Sequence, residues 1–440
     1  MTEHGRPADR PATFGEVFRV REFRAIFTAN ALSWWGDYVA KAAVAALVFQ
    51  LTRSVGLAGA TFALSYLPWL VGGPLLTALA DRFPYRRVMV VCDIARMVAM
   101  ALVAIPGLPI PAMLVLLFLT SLATPPAQAA RSATLPEILD RGQLVTGIAL
   151  ASTFGQVMQI AGYVAGGLLS AFAAREAILL NAATFGLSAL IIWRGVRLRP
   201  AAPQARKHLL REMGAGFRLV FGRPTLRAIA LIVFGTALFS VVPEGLAPGW
   251  AGHLSADPGG YGVAQSVIMA ANPIGFVLGS LIVTRTIRPT SRETLVPIFA
   301  ILTPACLVPA LIDPSLTWVA VMTLLCGFAT AALLPTANGL FVQMLPPAFR
   351  ARAFGVMQTG LQASQGLGVL VTSGLAENHS LPRVIGLWGL AGVGLLLLAA
   401  AVWPSREMFA RAIHETAAAA ATPAAAEGTP RHARARAAAA

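Results

Sequence analysis

Of the 440 residues, 57% are hydrophobic and only 12% are charged, whereas a soluble domain carries roughly 25% charged residues, so a soluble globular protein is excluded. Three cysteines exclude a disulfide scaffold, and the hydrophobic content excludes disorder for the main body. The net charge of +15 would suit a nucleic-acid binder, but the basic residues are distributed among loops between apolar windows and do not gather on one face, so no nucleic-acid partner is expected.

A hydrocarbon core about 30 Å thick needs about 20 apolar residues per helix. Nearly uncharged windows bounded by charges or by Pro and Gly turns predict twelve spans. In the first half they are 25–51, 54–80, 88–105, 111–130, 143–172 and 177–193; in the second they are 228–247, 259–284, 294–312, 315–337, 353–375 and 384–404. Residues 1–24 carry five Arg and no apolar stretch, so a cleaved signal peptide is not expected. Sorted by loop, 29 of the 34 Lys and Arg fall on one side; only Arg53, Arg175 and Arg383 fall on the other, and Lys41 and Arg96 lie within spans. The positive-inside rule predicts a multi-pass membrane protein with both termini cytoplasmic, its basic loops touching anionic membrane lipids; 32 Arg against 2 Lys with abundant Ala suggest a GC-rich bacterial genome, and so an inner membrane.

Residues 194–227 carry nine basic residues and divide the chain into an N-terminal half, 25–193, and a C-terminal half, 228–404. This linker is expected to lie on the membrane surface as a short amphipathic helix. The Ala-rich tail, 405–440, has little to bury and is expected to be disordered or a fraying helix. The halves echo one another at an offset near 206: Gly155-Gln156-Val157-Met158-Gln159 answers Leu361-Gln362-Ala363-Ser364-Gln365, and Gly167-Leu168 answers Gly374-Leu375. Such repetition predicts a duplicated six-helix bundle with its site between the halves at mid-membrane.

Charge inside a membrane is expensive, so ionisable residues within spans are candidates for function. Asp37 and Lys41 in span one share a helix face by their i, i+4 spacing, and Asn30 and Trp34 extend the stripe. They line a water-filled cavity, with Asp37 as a proton or cation site and Lys41 as its partner, or they form a self-neutralised pair that packs against a neighbouring helix. Asp93 and Arg96 in span three form a second such pair, whose position near the span end favours a structural role. Glu244 either titrates during transport or meets water at the outer mouth of span seven. Gln358, Gln362 and Gln365 in span eleven, Gln156 and Gln159 in span five, and Gln265 and Asn272 in span eight are candidates for a cavity wall, with interhelical hydrogen bonding as the competing account. The glycine pairs Gly162/Gly166 and Gly275/Gly279 have the spacing of close helix packing. The histidines all fall in loops or tails, so no metal site is expected, and no phosphate-cradling or nucleophile motif is present, so an ATP-driven pump and an enzyme are not expected.

The sequence resembles the major facilitator superfamily and, over nearly its whole length, the branch of bacterial macrolide-efflux and enterobactin-exporter-like proteins. The resemblance rests on Leu32-Ser33-Trp34-Trp35-Gly36-Asp37, on Ala80-Asp81-Arg82-Phe83-Pro84-Tyr85-Arg86-Arg87 after span two, on Asp93-Ile94-Ala95-Arg96 and on Ser132-Ala133-Thr134-Leu135-Pro136-Glu137. It implies an all-α membrane protein of twelve transmembrane helices in two pseudo-symmetric six-helix bundles, working by alternating access, with Asp81, Arg82, Arg86 and Arg352 latching the cytoplasmic side. Departures stand beside it. Thr77 and Pro84 replace glycines of the loop motif, Thr284 replaces the Asp of its second copy, Tyr163 replaces the Pro of the antiporter signature, and span four carries its first Arg, Arg131, only at its end.

The expectation is a monomeric secondary transporter without a cofactor, driven by the proton gradient, that exports a hydrophobic or amphiphilic small-molecule substrate such as a drug or siderophore. The alternatives are movement of a lipid or lysolipid, and a non-transporting sensor or assembly protein on the same fold.

Overall fold

A computed structural model describes residues 12–71, 82–200, 209–287, 289–346 and 349–421. Twelve helical spans run through it, and among the described residues there is no strand. Span one is Arg21–Thr52. Span two starts as Val55–Leu64 and resumes as Leu67–Val71 before leaving the described residues. Spans three, five and six are Tyr85–Val103, Arg141–Ser170 and Ala174–Gly195. Span four is Ile110–Leu122 continued by Thr124–Ile138, and span seven is Pro224–Ser240 continued by Val242–Leu254. Spans eight and nine are Pro258–Thr286 and Pro289–Ala305, the latter extended by a 3₁₀ turn at Val308–Ile312. Spans ten, eleven and twelve are Leu316–Gln343, Arg350–Leu375 and Leu381–Ala401.

Several ends differ from expectation. Span four runs on to Ile138 where charge-free reading ends it at 130, and span seven extends from Pro224 to Leu254. A helix satisfies its own backbone, so nothing obliges it to stop where the apolar window does. Polar residues close the turns instead. The Ser54 hydroxyl accepts from the Leu57 amide at 2.9 Å, and the Asp257 carboxylate accepts from the Gly260 amide at 2.7 Å. That amide bond, with a second from the Ser255 hydroxyl, holds the Asp257 carboxyl below the usual carboxylate range.

Hydrocarbon gives helices no hydrophobic reason to associate, so close backbone approach holds the spans together. A Cβ added at Gly275 would overlap the Leu324 carbonyl, and one at Gly327 would overlap the Asn272 carbonyl, so spans eight and ten touch along reciprocal glycines. Gly162 and Gly166 meet the backbone of span one at Trp35 and Val39 in the same way. Both glycine pairs therefore serve packing.

At the side carrying the linker, Glu22 binds Arg199 at 2.7 Å, and Arg199 reaches Glu137 at 3.8 Å, tying spans one and four to the start of the linker. Partial burial disfavours charge on Glu22, but the hydrogen bond and charge of Arg199 and those of Arg197 outweigh it and hold its carboxyl below the ordinary range. The linker contains a helix at Leu209–Gly222, with Gly216 packed on the Arg352 backbone. The tail departs from expectation over its first part, because Arg406–Ala421 is a helix. Phe409, Ala412 and Ile413 make an i, i+3, i+4 stripe that packs on the C-terminal half, with Phe409 buried 5.2 Å from the Trp403 ring. Residues 422–440 lie outside the described residues.

Candidate functional site

The halves enclose two adjoining cavities. The larger, about 570 Å³, is lined by spans one, two, three, four, six and eleven, including Trp34, Asp37, Lys41, Trp69, Arg96 and Gln358. The smaller, about 260 Å³, lies between spans one, two, five, seven, eight, ten and eleven, including Gln156, Gln159, Tyr163, Glu244, Asn272 and Gln365. Tyr38, Lys41, Tyr66 and Gln362 line both, so Lys41 stands at their junction.

Lys41 is held by rings. Its Nζ lies 5.3 Å from the Tyr38 centroid, 5.8 Å from that of Phe62 and 5.6 Å from that of Tyr66, a three-sided aromatic cage for an ammonium. The expected Asp37–Lys41 partnership does not form. Asp37 instead accepts from the Arg96 guanidinium at 2.6 Å, because Arg96 on span three reaches across with a fork that binds carboxylate better than a point ammonium does.

Behind that pair lies a buried charge network. Asp93 is fully buried and accepts from Arg96 at 3.4 Å, from Arg131 at 3.3 Å and from the Ser188 hydroxyl at 2.6 Å. Arg131, 5% exposed, also donates to the Asn30 amide oxygen at 2.6 Å. The expectation that Arg131 closes span four is therefore corrected. It lies inside Thr124–Ile138, and that helix turns it into the bundle. Asn30 supports Arg131 and lines neither cavity. Two carboxylates, Asp37 and Asp93, face two guanidiniums, Arg96 and Arg131, so the network is neutral, as burial of all of it but the Asp37 edge requires.

Glu244 contrasts with it. The residue is 4% exposed in the wall of the smaller cavity, where the Tyr163 hydroxyl donates to its Oε2 at 3.0 Å, and no cation among the described residues comes within ion-pair distance. It does not sit in water at an outer mouth, because span seven breaks at Val241 and its second segment carries Glu244 into the interface between halves. Gln265 is likewise corrected. It is fully buried, accepts from the Ser170 hydroxyl at 2.7 Å and donates to the Ala42 carbonyl at 2.9 Å, so it joins helices and lines neither of these cavities. The other glutamines, at 156, 159, 358, 362 and 365, all line a cavity.

Among the described residues, the hydrogen bonds joining the halves all lie on the side away from the linker or at cavity depth. Glu377 accepts from the Ser54 hydroxyl at 2.9 Å and from the Gly56 amide at 2.8 Å, and the Ser266 hydroxyl donates to the Val164 carbonyl at 2.9 Å. On the linker side, Arg86 donates to the Trp193 carbonyl within its own half, Arg352 lies 5.3 Å from the Phe349 ring, and Arg82 is exposed. Asp81, the acidic member of the expected latch, lies outside the described residues. Sequence reasoning missed Tyr163 and the aromatic cage as site residues, since Tyr38, Phe62 and Tyr66 read as ordinary apolar positions of a span.

The model of the Major Facilitator Superfamily matches residues 26–256 and 245–436, one match for each half. The chain belongs to the major facilitator superfamily. Solved structures of the same fold include the nucleoside transporter NupG, with 15% identity and a TM-score of 0.67, covering 88% of this chain and 99% of that one. A bacterial homologue of the human lysosomal transporter Spinster, in an inward-facing and occupied conformation, has 15% identity and a TM-score of 0.69, covering 91% and 98%. The peptide transporter PepTSo has 14% identity and a TM-score of 0.68, covering 90% and 99%. No curated protein matches the sequence. As a member of the superfamily the chain is a membrane transporter and not an enzyme, and its fold is the one expected, twelve spans in two six-helix bundles.

Proposed function

We propose that this transporter uses the proton gradient to export a hydrophobic or amphiphilic small molecule from the bacterial cytoplasm, as in the macrolide-efflux and enterobactin-exporter-like branch. The observation that carries the reading is the pair of adjoining cavities between the halves, whose walls combine Trp34, Tyr38, Phe62, Tyr66 and Trp69 with the charges of Lys41 and Glu244. Aromatic walls take up an apolar body, while the amides and the two charges orient a polar end. The basic side is the cytoplasmic one by the positive-inside rule. Among the described residues the inter-half hydrogen bonds lie at the opposite side or at cavity depth, which fits a state that loads an exported substrate from the cytoplasm.

Glu244 is the proton site in this reading. A carboxylate buried beside a tyrosine hydroxyl with no paired cation gains most from neutralisation by a proton, whereas Asp37, the site expected from sequence, is already neutralised by Arg96. The outward-open protein takes a proton on Glu244; closure and reopening deliver it to the cytoplasm, and the deprotonated cavity then accepts substrate.

Uptake into inverted membrane vesicles under an imposed proton gradient tests the reading with a panel of macrolides, dyes, siderophores and lysolipids. Gradient-dependent accumulation of one of the first three classes, abolished by E244Q, is the expected result. Accumulation of lysolipid alone, or none of any compound by folded protein, rejects it.

A further inference from the structure

Away from the central cavities, a groove of about 460 Å³ opens between spans one and six on the outer surface of the N-terminal half. Span one contributes Arg21, Arg24, Ala25 and Thr28; span six contributes Leu187, Leu190, Ile191 and Arg194. Each set has i, i+3, i+4, i+7 spacing, so each is one stripe of one helix. The spans are antiparallel, and this polarises the groove. Arg21, Arg24 and Arg194 sit at the rim on the linker side, while Thr28, Leu187 and Leu190 lie deeper, about 6 to 10 Å further into the membrane at 1.5 Å per residue. Ala25 and Gly195 close the floor, where a Cβ added to the glycine would overlap the alanine side chain.

Among the described residues the rim carries three guanidiniums and no acid. The nearest carboxylate in sequence, Glu22, is engaged by Arg197 and Arg199, and none of Arg21, Arg24 and Arg194 makes an ion pair among the described residues. Leu187 and Leu190 stay exposed below them, and Trp193 beside the rim is 55% exposed, placed as an interfacial aromatic. A cationic rim over an apolar trough has the polarity of a phospholipid that carries a negative headgroup.

We propose that this groove is a binding site for one diacyl anionic phospholipid, its phosphodiester held by Arg21, Arg24 and Arg194 and an acyl chain lying along Leu187 and Leu190. The occupant is part of the membrane, distinct from the transported substrate.

Native mass spectrometry of the full-length protein, purified in non-ionic detergent and titrated with phosphatidylglycerol or phosphatidylcholine, tests this. R21Q/R24Q/R194Q is expected to weaken phosphatidylglycerol binding by about tenfold or more, since each juxtamembrane arginine contributes appreciably to attraction for an anionic headgroup. The charge-matched control R218Q/R227Q/R285Q, at exposed basic positions elsewhere, should change it less than twofold. T28W keeps every charge but fills the trough, and should also lose the lipid. If the triple variant does not fold, R194Q alone with T28W carries the test. Equal weakening by both triple variants, retention of lipid by T28W, or displacement of the lipid by inorganic phosphate would overturn the proposal.

Discussion

At the residue scale, the most consequential side chains are those whose charge has no access to water. Asp93 is the hub of the buried network, receiving two guanidiniums and a hydroxyl. D93N leaves Arg96 and Arg131 short of their shared counter-charge, and we expect it to destabilise the protein by about 3 to 5 kcal/mol, read as a lowered midpoint in thermal unfolding in detergent. D37N, which removes a carboxylate at the partly exposed edge of the same network, should cost less. Glu22 supplies a case outside the membrane, since it precedes the apolar window of span one at 25–51. Its carboxyl lies below the ordinary range in the folded state, so its pairing with Arg199 stabilises at neutral pH and is lost as pH falls through the folded value. Unfolding measured from neutral to acid pH should show part of that acid loss vanish in E22Q, and an unchanged profile would deny Glu22 the role.

At the element scale, helix contacts here depend on missing side chains. G275A should force spans eight and ten apart, because the added methyl meets the Leu324 backbone, which cannot rotate away. We expect a lower unfolding midpoint for G275A, whereas G394A, whose Cβ would meet nothing, should be neutral or stabilising by up to about 1 kcal/mol. The contact of Glu377 with the start of span two acts between halves and not within one. Removing it in E377A should loosen closure on the side away from the linker. Labelling of a single cysteine at the cavity wall from that side should become several-fold faster, since hydrogen bonds to a charged group contribute about 1.5 to 3 kcal/mol when protected and less at an exposed site. An unchanged rate would mean that glycine packing, as at Gly59 against Ser373, closes that side unaided.

The whole molecule is the scale at which the sequence was most legible. Charge-free windows identified all twelve spans, because a spanning helix must be apolar for a length fixed by the bilayer, and the offset between Gln156 and Gln362 announced two related halves. Glutamines 156, 159, 358, 362 and 365 were legible as cavity-lining for the same reason, polar amides being rare in a span. Pairings across the bundle were not. Nothing in the spacing of Asp37 and Lys41 shows that an arginine 59 positions on will take the carboxylate and leave the ammonium to aromatic rings. Arg131 was misplaced because span four continues past the point at which composition changes, and Phe409 because a separate helix, Arg406–Ala421, follows span twelve after a break at 402–405 and packs back on the half. The resulting picture is of two bundles that hold one neutralised charge network in the N-terminal half and one unpaired carboxylate between the halves.

That carboxylate is the centre of the account, and infrared difference spectroscopy of the purified protein between acid and alkaline pH reads it without a known substrate. The account predicts a carbonyl band of a buried protonated carboxyl group that rises on acidification, persists in D37N and is absent in E244Q. A band that survives in E244Q and disappears in D37N would contradict it, placing the proton on Asp37 and leaving Glu244 without a part in coupling.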